Sequence, residues 1–447
     1  MISRRTAALL LALTGAFAFL APGAQTSSTK LPGQRGTLWV VNKTLNNVTA
    51  FDGATGAVIA TVAVGRNPNS VVVAPGKLKA YVTNEDSNDV TVISTMTHEV
   101  VSTIPVPSRP HHIRTNRDGS RVYVAEYGAN KVAVIDTTTD KLVDELVAAD
   151  AANAKTHSTW LTRDGKWLLV VNETPANLAI LSLETGKVVG SVALGLPPAE
   201  VIATADGKTA YVSLRTGVIK AVDLDSRAIT GEVTLPAASD TLQLTPDDKQ
   251  LMVALRGTPA QLAVVDTKSL KVLQTIDLAG TGTIAGHNWL SANGRYSFAA
   301  FESSTAPGIA VVDHQTGGVV ETLAYPGGGR PHGVYYDDPA ATEGPAVFLA
   351  PGTARVAHGR VTVTVTCSGD AVGFCRGRLS LGGGTAAFSL VPTRSSRLQL
   401  TVSRATLKQL AKRGHLSLRA KAVATDELGN TRTTTRAVKV LAPGKRR

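Results

Sequence analysis

Short apolar runs recur along most of the chain at a nearly constant interval. The segment AYVTNEDSNDVTVIS at residues 80–94 contains an apolar run, a polar turn and a second apolar run, and VYVAEYGANKVAVID at residues 122–136 repeats that order. Copies of the first run begin about every 43 residues between Thr37 and Ala340. The seven copies are LWVVN, AYVTN, VYVAE, LLVVN, AYVSL, LMVAL and SFAAF. A period of this length is typical of propeller blades and of solenoids.

Each repeat contains four such runs, and their composition predicts β-strands. The runs are rich in Val, Ile and Thr, alternate in polarity and are separated by Gly, Asn and Asp. No repeat has a helical apolar period over ten residues, which excludes a helical solenoid. Four strands per repeat are the pattern of a propeller blade. The last run, residues 331–337, can complete the first blade, so we predict an all-β, seven-bladed propeller over residues 37–340, closed by pairing of its terminal strands.

Several of these runs resemble a known repeat family. AYVTN with the NDVTVIS that follows it, the VAVID run, and the RPH and Asp-Gly turns resemble the YVTN-type β-propeller repeat family, whose relatives include the propellers of nitrous-oxide reductase and quinoprotein amine dehydrogenase-like proteins. The resemblance covers all seven repeats and implies the fold, whereas propellers serve as enzymes, binding modules and scaffolds alike. Nitrous-oxide reductase itself is not expected, because its copper sites need more histidines and a paired-cysteine ligand set. No haem-attachment CxxCH motif supports the quinoprotein alternative.

The apolar pattern changes after the seventh repeat. Strict alternation in RVTVTVTC, RLQLTV and HLSLRAKAVA predicts a β-sandwich over residues 353–442, between a linker at 341–352 and a basic tail at 443–447. Within it, SRATLKQLAKRG predicts a short helix with Ser403 as N-cap and Gly414 as its C-terminal stop. The block resembles the immunoglobulin-like domains appended to exported bacterial proteins.

The beginning of the chain has the pattern of a secretory signal peptide over residues 1–24. Arg4 and Arg5 precede an apolar run, and small residues follow it up to Ala24. The two arginines leave a twin-arginine export signal open as an alternative. After a linker at residues 25–36, no later segment is apolar enough for a spanning helix. We therefore expect a secreted, extracytoplasmic protein without a transmembrane span, unless the apolar run stays uncleaved as an anchor.

Cysteine usage and charge refine this expectation. Cys367 and Cys375 are the only cysteines, and in an exported chain we expect them to form a disulfide. The net charge is +12, and residues 341–447 hold 18 Lys and Arg against 4 Asp and Glu. This basic region favours contact with an anionic cell-wall or envelope polymer, or with DNA. Aromatic residues are only 4% of the chain, so there is little stacking surface for single-stranded nucleic acid.

Candidate chemistry clusters at one end of the predicted propeller. The loops that lead into the first strand of each blade, and those that follow its second strand, emerge around the mouth of the central channel. Histidines occur in the loops that lead into first strands, and acidic or basic residues occur in the loops that follow second strands. The histidines are His111, His112, His157, His287 and His332; the other candidates are Glu85, Glu126, Glu173, Glu302, Arg215 and Arg256.

Three hypotheses fit these residues. The first is a copper or zinc site formed by the imidazoles of His111, His157, His287 and His332, since imidazole suits both ions. The second is a pocket for a small molecule, in which Arg215 and Arg256 hold a carboxylate or phosphate and a histidine, His112 included, or a glutamate acts as base. In the third, the Pro-His pair belongs to the turn itself, and the ring only bonds a neighbouring backbone carbonyl.

The sequence thus predicts an exported binding or interaction module at the cell envelope. A protein, glycan or small-molecule ligand would bind at the channel mouth. A metal-binding protein or a small-molecule enzyme that uses the same residues is the alternative, and DNA binding is a second one. No GxSxG or HExxH motif and no phosphate-binding glycine loop names a reaction.

Overall fold

The computed structural model describes residues 36–151, 153–280, 283–338, 347–349, 353–367, 375–390, 395–425 and 431–443. The predicted signal peptide and most of the basic tail lie outside these ranges. Within the described residues, no helix is long and apolar enough to cross a membrane.

Residues 36–338 form seven four-stranded antiparallel sheets, one per repeat. Blades 1 to 4 contain β1 (Thr37–Asn42), β2 (Asn47–Asp52), β3 (Val58–Ala63), β4 (Pro68–Ala74), β5 (Lys79–Asn84), β6 (Asp89–Ser94), β7 (Val100–Pro105), β8 (Pro110–Thr115), β9 (Arg121–Glu126), β10 (Lys131–Asp136), β11 (Lys141–Val147), β12 (Thr156–Leu161), β13 (Trp167–Asn172), β14 (Asn177–Ser182) and β15 (Lys187–Ala193).

The remaining blades continue the same order. They contain β16 (Pro198–Ala203), β17 (Thr209–Leu214), β18 (Val218–Asp223), β19 (Ala228–Thr234), β20 (Ser239–Leu244), β21 (Gln250–Leu255), β22 (Gln261–Asp266), β23 (Lys271–Asp277), β24 (Ile284–Leu290), β25 (Tyr296–Glu302), β26 (Gly308–Asp313) and β27 (Gly318–Ala324). The last strand, β28 (Pro331–Asp337), belongs to blade 1.

The ring closes through blade 1. Its sheet has the order β28-β1-β2-β3, and β28 runs antiparallel to β1 with Val334 opposite Val40. The hydroxyl of Tyr336 also accepts a hydrogen bond from the backbone N–H of Gly36 at 2.9 Å. The predicted all-β, seven-bladed fold and its closure by the terminal strands are confirmed.

The apolar pattern of the sequence reflects the way in which neighbouring blades pack face to face. Second and third strands have apolar side chains on both faces, and Trp39 and Tyr81 are completely buried between blades. Fourth strands lie at the rim: β7, for example, buries Ile104 while Val100 and Val101 are exposed. Burial of apolar area between blades is the main driving force for this arrangement.

A β-bulge in the first strand of every blade positions the channel side chains. All seven pairings between first and second strands shift register near the start of the first strand. In blade 3, Pro110 pairs with Glu126 and Ile113 with Val124, so His111 and His112 face a single partner residue. Such a bulge re-aims side chains. The two imidazole rings are therefore stacked, with centroids 4.8 Å apart.

The C-terminal region is built from two sheets around one apolar core. A three-stranded sheet has the order β29-β31-β34, and a five-stranded sheet has the order β30-β36-β35-β32-β33. Both sheets contribute buried side chains, such as Val363 and Leu379, to the core. The elements are β29 (Val347–Leu349), β30 (Thr353–Arg355), β31 (Arg360–Cys367), β32 (Cys375–Leu381), β33 (Gly384–Leu390), β34 (Ser395–Thr401), α1 (Arg404–Arg413), β35 (His415–Thr425) and β36 (Thr431–Leu441).

Two local predictions hold in this region. Helix α1 begins after Ser403, whose hydroxyl accepts a hydrogen bond from the N–H of Thr406 at 3.2 Å, and ends at Gly414. Cys367 and Cys375 form a disulfide, with Cα atoms 5.9 Å apart. Strand β29 lies within the segment predicted as a linker. The likeness to an immunoglobulin domain stays a prediction.

Candidate functional site

The bulges place two residues from each blade at the channel. From blade 1 to blade 7, the first bulge position is occupied by His332, Asn69, His111, His157, Ala199, Asp240 and Gly286. The second position is occupied by Gly333, Ser70, His112, Ser158, Glu200, Thr241 and His287. Alignment by repeat spacing placed His287 with His111, but strand register shows that it is equivalent to His112.

All five predicted histidines meet in this channel. The ring centroids of His332 and His287 are 4.2 Å apart, and those of His287 and His112 are 4.9 Å apart. His157 lies 5.0 Å from His112 and 4.3 Å from His111. All five side chains are buried. The structure therefore forms one continuous row of imidazoles from blade 1 to blade 4.

Two of the rings bond backbone carbonyls, but in the next blade. Nδ1 of His111 contacts the carbonyl oxygen of His157 at 3.2 Å, and Nδ1 of His157 contacts the carbonyl oxygen of Ala199. These bonds link blade 3 to blade 4 and blade 4 to blade 5 around the channel. Both rings thus bond a backbone carbonyl of the neighbouring first strand, because the bulge aims them sideways.

Burial keeps most of these imidazoles neutral. Loss of water and, next, the neighbouring imidazoles lower the pKa of His112 well below its usual value, and burial has the same effect on His157 and His287. Burial likewise lowers the pKa of His332 to about 4. A neutral imidazole keeps one nitrogen lone pair that can accept a proton or bind a metal ion.

Carboxylates and cations form ion pairs around the histidines. Oε2 of Glu85 lies 3.1 Å from Arg109 and Oε1 lies 3.6 Å from Lys43. Arg215 donates to Oε1 of Glu173 at 2.6 Å. The remaining pairs are Arg256 with Asp240 at 2.6 Å and Arg330 with both oxygens of Glu302 at 2.9 and 3.0 Å. We call Lys43, Arg109, Arg215, Arg256 and Arg330 the cationic rim.

The two members of these pairs differ in exposure. The arginine side chains of the cationic rim are 31–50% exposed, whereas their carboxylate partners are 4–13% exposed. The carboxylates therefore lie beneath the guanidinium groups, which face solvent. A molecule that approaches the mouth first meets positive charge.

Glu126 is not part of this group, although the sequence predicted it there. It pairs with Pro110, as Asn84 pairs with Pro68 in blade 2, so Tyr127 and not Glu126 is the equivalent of Glu85. Burial and, next, the neighbouring Glu145 raise the pKa of Glu126 to about 8. Its electrostatic neighbours are Glu145 and Lys131 rather than the histidines.

Tyr127 occupies the place at the mouth instead. Its ring stacks on His111 with centroids 5.3 Å apart, and its hydroxyl donates to Oε2 of Glu173 at 2.8 Å. The guanidinium of Arg109 lies 5.2 Å from the centre of the same ring. An aromatic residue that directly follows the VYVAE run was the signal in the sequence, and counting one residue further would have found it.

A buried ion pair lies deeper in the channel, and sequence reasoning missed it. Arg114, two residues after His112 in β8, donates to a carboxylate oxygen of Glu200. The other oxygen of Glu200 accepts from the N–H of Leu242 at 3.0 Å. Trp160 and Trp289 flank the guanidinium, with ring centres 5.5 and 5.4 Å away. The only signal for Arg114 in the sequence was the alternation along PHHIRT, in which every second residue faces the channel.

Comparison with known proteins assigns the propeller to a family. A sequence profile described as "Lactonase, 7-bladed beta-propeller" matches residues 42–336. The seven-bladed beta-propeller protein Rv1057 of Mycobacterium tuberculosis is 29% identical over 124 residues, which are 27% of this chain and 32% of that protein. The chain thus aligns with about a third of this curated relative's length.

Solved structures share the fold at low identity. A putative 6-phosphogluconolactonase from Bacteroides fragilis is 17% identical with a TM-score of 0.55, over 69% of this chain and 100% of that one. Kuenenia stuttgartiensis hydrazine synthase is 19% identical with a TM-score of 0.56, over 65% of this chain and 98% of that one. These likenesses show the fold alone. The profile match spans most of the chain, and the chain belongs to the lactonase family of seven-bladed β-propellers.

Proposed function

We propose that the protein binds a small anionic molecule at the mouth of the propeller channel. The observation that carries this proposal is the exposure of the four arginines of the cationic rim above buried carboxylates. Guanidinium groups bind carboxylates and phosphates with two parallel hydrogen bonds. A concave, low-dielectric channel with this charge at its entrance attracts anions.

The buried carboxylates hold the rim arginines in place. Nε of Arg215 donates to Glu173, and Nη2 donates to Nε2 of His157 at 2.7 Å. Glu173 is itself fixed by the hydroxyl of Tyr127. Because the guanidinium has five N–H donors, it keeps donors for a ligand after these bonds are made. Such preorganisation lowers the entropic cost of binding.

Replacing Arg215 by glutamine should weaken anion binding. We expect wild-type protein to bind at least one of orthophosphate, citrate and glucose 6-phosphate in isothermal titration calorimetry, and Arg215→Gln to bind it about 10- to 100-fold more weakly, because a charged hydrogen bond is lost. Arg295→Gln is the matched control. Arg295 forms an ion pair with Asp313 and is 31% exposed, but it lies in the turn between β24 and β25, at the opposite end of blade 7.

Two outcomes would count against this function. One is that none of the three anions binds to wild-type protein at millimolar concentration in low salt. The other is that Arg215→Gln and Arg295→Gln bind the anion equally well, which would assign the binding to general surface charge rather than to the mouth.

Lactone hydrolysis is a second candidate function, favoured by membership in the lactonase family. Water would add to the lactone carbonyl, the ring C–O bond would break, and a carboxylic acid and a hydroxyl group would form. We expect the protein to speed the opening of 6-phosphogluconolactone, followed by proton release in weak buffer, and Arg215→Gln to slow it. A wild-type rate equal to the uncatalysed rate would contradict lactone hydrolysis and leave anion binding as the proposed function.

A further inference from the structure

Two sets of buried residues in the channel each bring three metal-binding atoms within 4.8 Å of one another. One set is His111, His112 and His157, and the other is Asp240, His287 and His332. Hydrogen bonding distinguishes them. In the first set, Nε2 of His111 lies 3.0 Å from the amide of Asn69, and Nε2 of His157 lies 2.7 Å from Arg215. Their outer nitrogens are therefore already engaged.

In the second set, one imidazole nitrogen and one carboxylate oxygen are not engaged by other residues and can bind a ligand. Nδ1 of His332 is buried without a hydrogen-bond partner in the described part of the chain. Asp240 gives Arg256 only its Oδ2, so Oδ1 remains for an ion. His287 contributes a ring that contacts His332 on one side and His112 on the other. A buried, unpartnered nitrogen is costly in a structural role and is explained by a ligand.

We propose that Asp240, His287 and His332 bind a divalent transition-metal ion in the channel, beneath the cationic rim. Two imidazoles and one carboxylate form a ligand set that suits Zn²⁺ and Fe²⁺ and leaves positions open for water or substrate. The three ligands lie beneath the rim, and Asp240 is shared, because its Oδ2 also accepts a hydrogen bond from Arg256 of the rim.

Outer contacts would orient these ligands. Arg256 fixes the Asp240 carboxylate by donating to Oδ2, and an outer hydrogen bond of this kind holds a metal ligand in one orientation. Oε1 of Glu302 lies 3.7 Å from Nδ1 of His332, too far for a hydrogen bond, so that nitrogen stays available to the ion. Nε2 of His112 is also buried without a partner among the described residues, and its ring lies 4.9 Å from His287. This nitrogen is placed to act as a fourth ligand.

Glycines allow the strands that carry the site to meet. A Cβ on Gly286, next to His287, would lie 3.3 Å from Cα of His332. A Cβ on Gly333, next to His332, would lie 2.3 Å from the carbonyl oxygen of Asn69. Side chains at these two bulge positions would push blades 7, 1 and 2 apart. The two histidines reach each other because the neighbouring bulge positions carry no side chain.

Zinc titration of the mature full-length protein, purified without a histidine tag and stripped with chelator, tests the proposal. We expect one tight Zn²⁺ site per chain in wild-type protein by calorimetry. Asp240→Asn and His332→Gln should each weaken it at least about 100-fold, because each removes one of three ligands. His314→Asn is the matched control, since His314 is a partly buried histidine of blade 7 that bonds Ser297 outside the channel.

The variant His157→Asn distinguishes between the two candidate sets of ligands. It should leave zinc affinity within a few-fold of wild type, and loss of the tight site in this variant would overturn the proposal in favour of the first set. Absence of a tight site in wild-type protein would also overturn it. Folding of each variant is checked by circular dichroism. If Asp240→Asn does not fold, His332→Gln and the Co²⁺ absorption spectrum of wild-type protein decide, and a spectrum without nitrogen ligands contradicts the site.

Discussion

Arg114→Met lowers the free energy of unfolding by about 3–5 kcal/mol, as expected when one partner of a buried ion pair is removed. The variant retains the volume between Trp160 and Trp289 but leaves Glu200 without its cation in the centre of the channel. The side chains of Arg114 and Glu200 are 10% and 1% exposed, so water cannot replace the lost partner. Urea denaturation followed by circular dichroism measures the change.

The double variant Arg114→Met, Glu200→Gln isolates the cause of this loss. We expect it to be more stable than the single variant, because no charge is then buried unpaired. Arg121→Met serves as the control: the pair of Arg121 with Asp136 is partly exposed, so its loss should cost less than about 1 kcal/mol. A single Arg114 variant as stable as the Arg121 variant would show that the deep ion pair does not support the channel.

Deleting residues 1–45 abolishes cooperative folding of the propeller. The deletion removes β1, whose Leu38, Trp39, Val40 and Val41 are completely buried. Four such side chains contribute roughly 6–12 kcal/mol through burial alone, which is comparable with the whole stability of a typical domain. It also leaves β2 and β28 as open sheet edges, and such edges promote aggregation. Thermal unfolding and size-exclusion chromatography report the two effects.

A chain that starts at Gly36 is the matched control for this deletion. It retains β1 and its pairing with β28, so we expect cooperative unfolding and a monodisperse profile. If the shorter chain also unfolded cooperatively at a similar temperature, closure of the ring by the terminal strands would not be the source of stability that the strand order indicates.

The fold was predictable from the sequence because every blade repeats the same physical pattern. The buried second strands, of which AYVTN in β5 is an example, give a strong signal seven times over, and the position of the last run predicts the closure. The disulfide was predicted from the two cysteines together with the expected export of the chain, and the structure contains it. Export, the envelope partner and DNA binding stay predictions, since they concern residues or molecules beyond the described structure.

The site was predictable in composition but not in detail. Sequence spacing found all five histidines, yet it shifted His287 by one residue and chose Glu126 where Tyr127 lies. The first error comes from the β-bulge, which sets two residues opposite one. The second is an error of one residue in the count, because Glu126 is the last residue of β9 and Tyr127 follows it. Arg114 and Glu200 were missed because they come from blades 3 and 5, 86 residues apart, and no local signal links them.

Crystals of the full-length protein grown with zinc, and diffraction data collected at the zinc absorption edge, test most directly whether the channel binds the proposed metal ion between blades 6, 7 and 1. We predict an anomalous difference peak about 2.0–2.2 Å from a nitrogen of His287, a nitrogen of His332 and an oxygen of Asp240. Peaks confined to the molecular surface, or a peak between His111 and His157 instead, would contradict it.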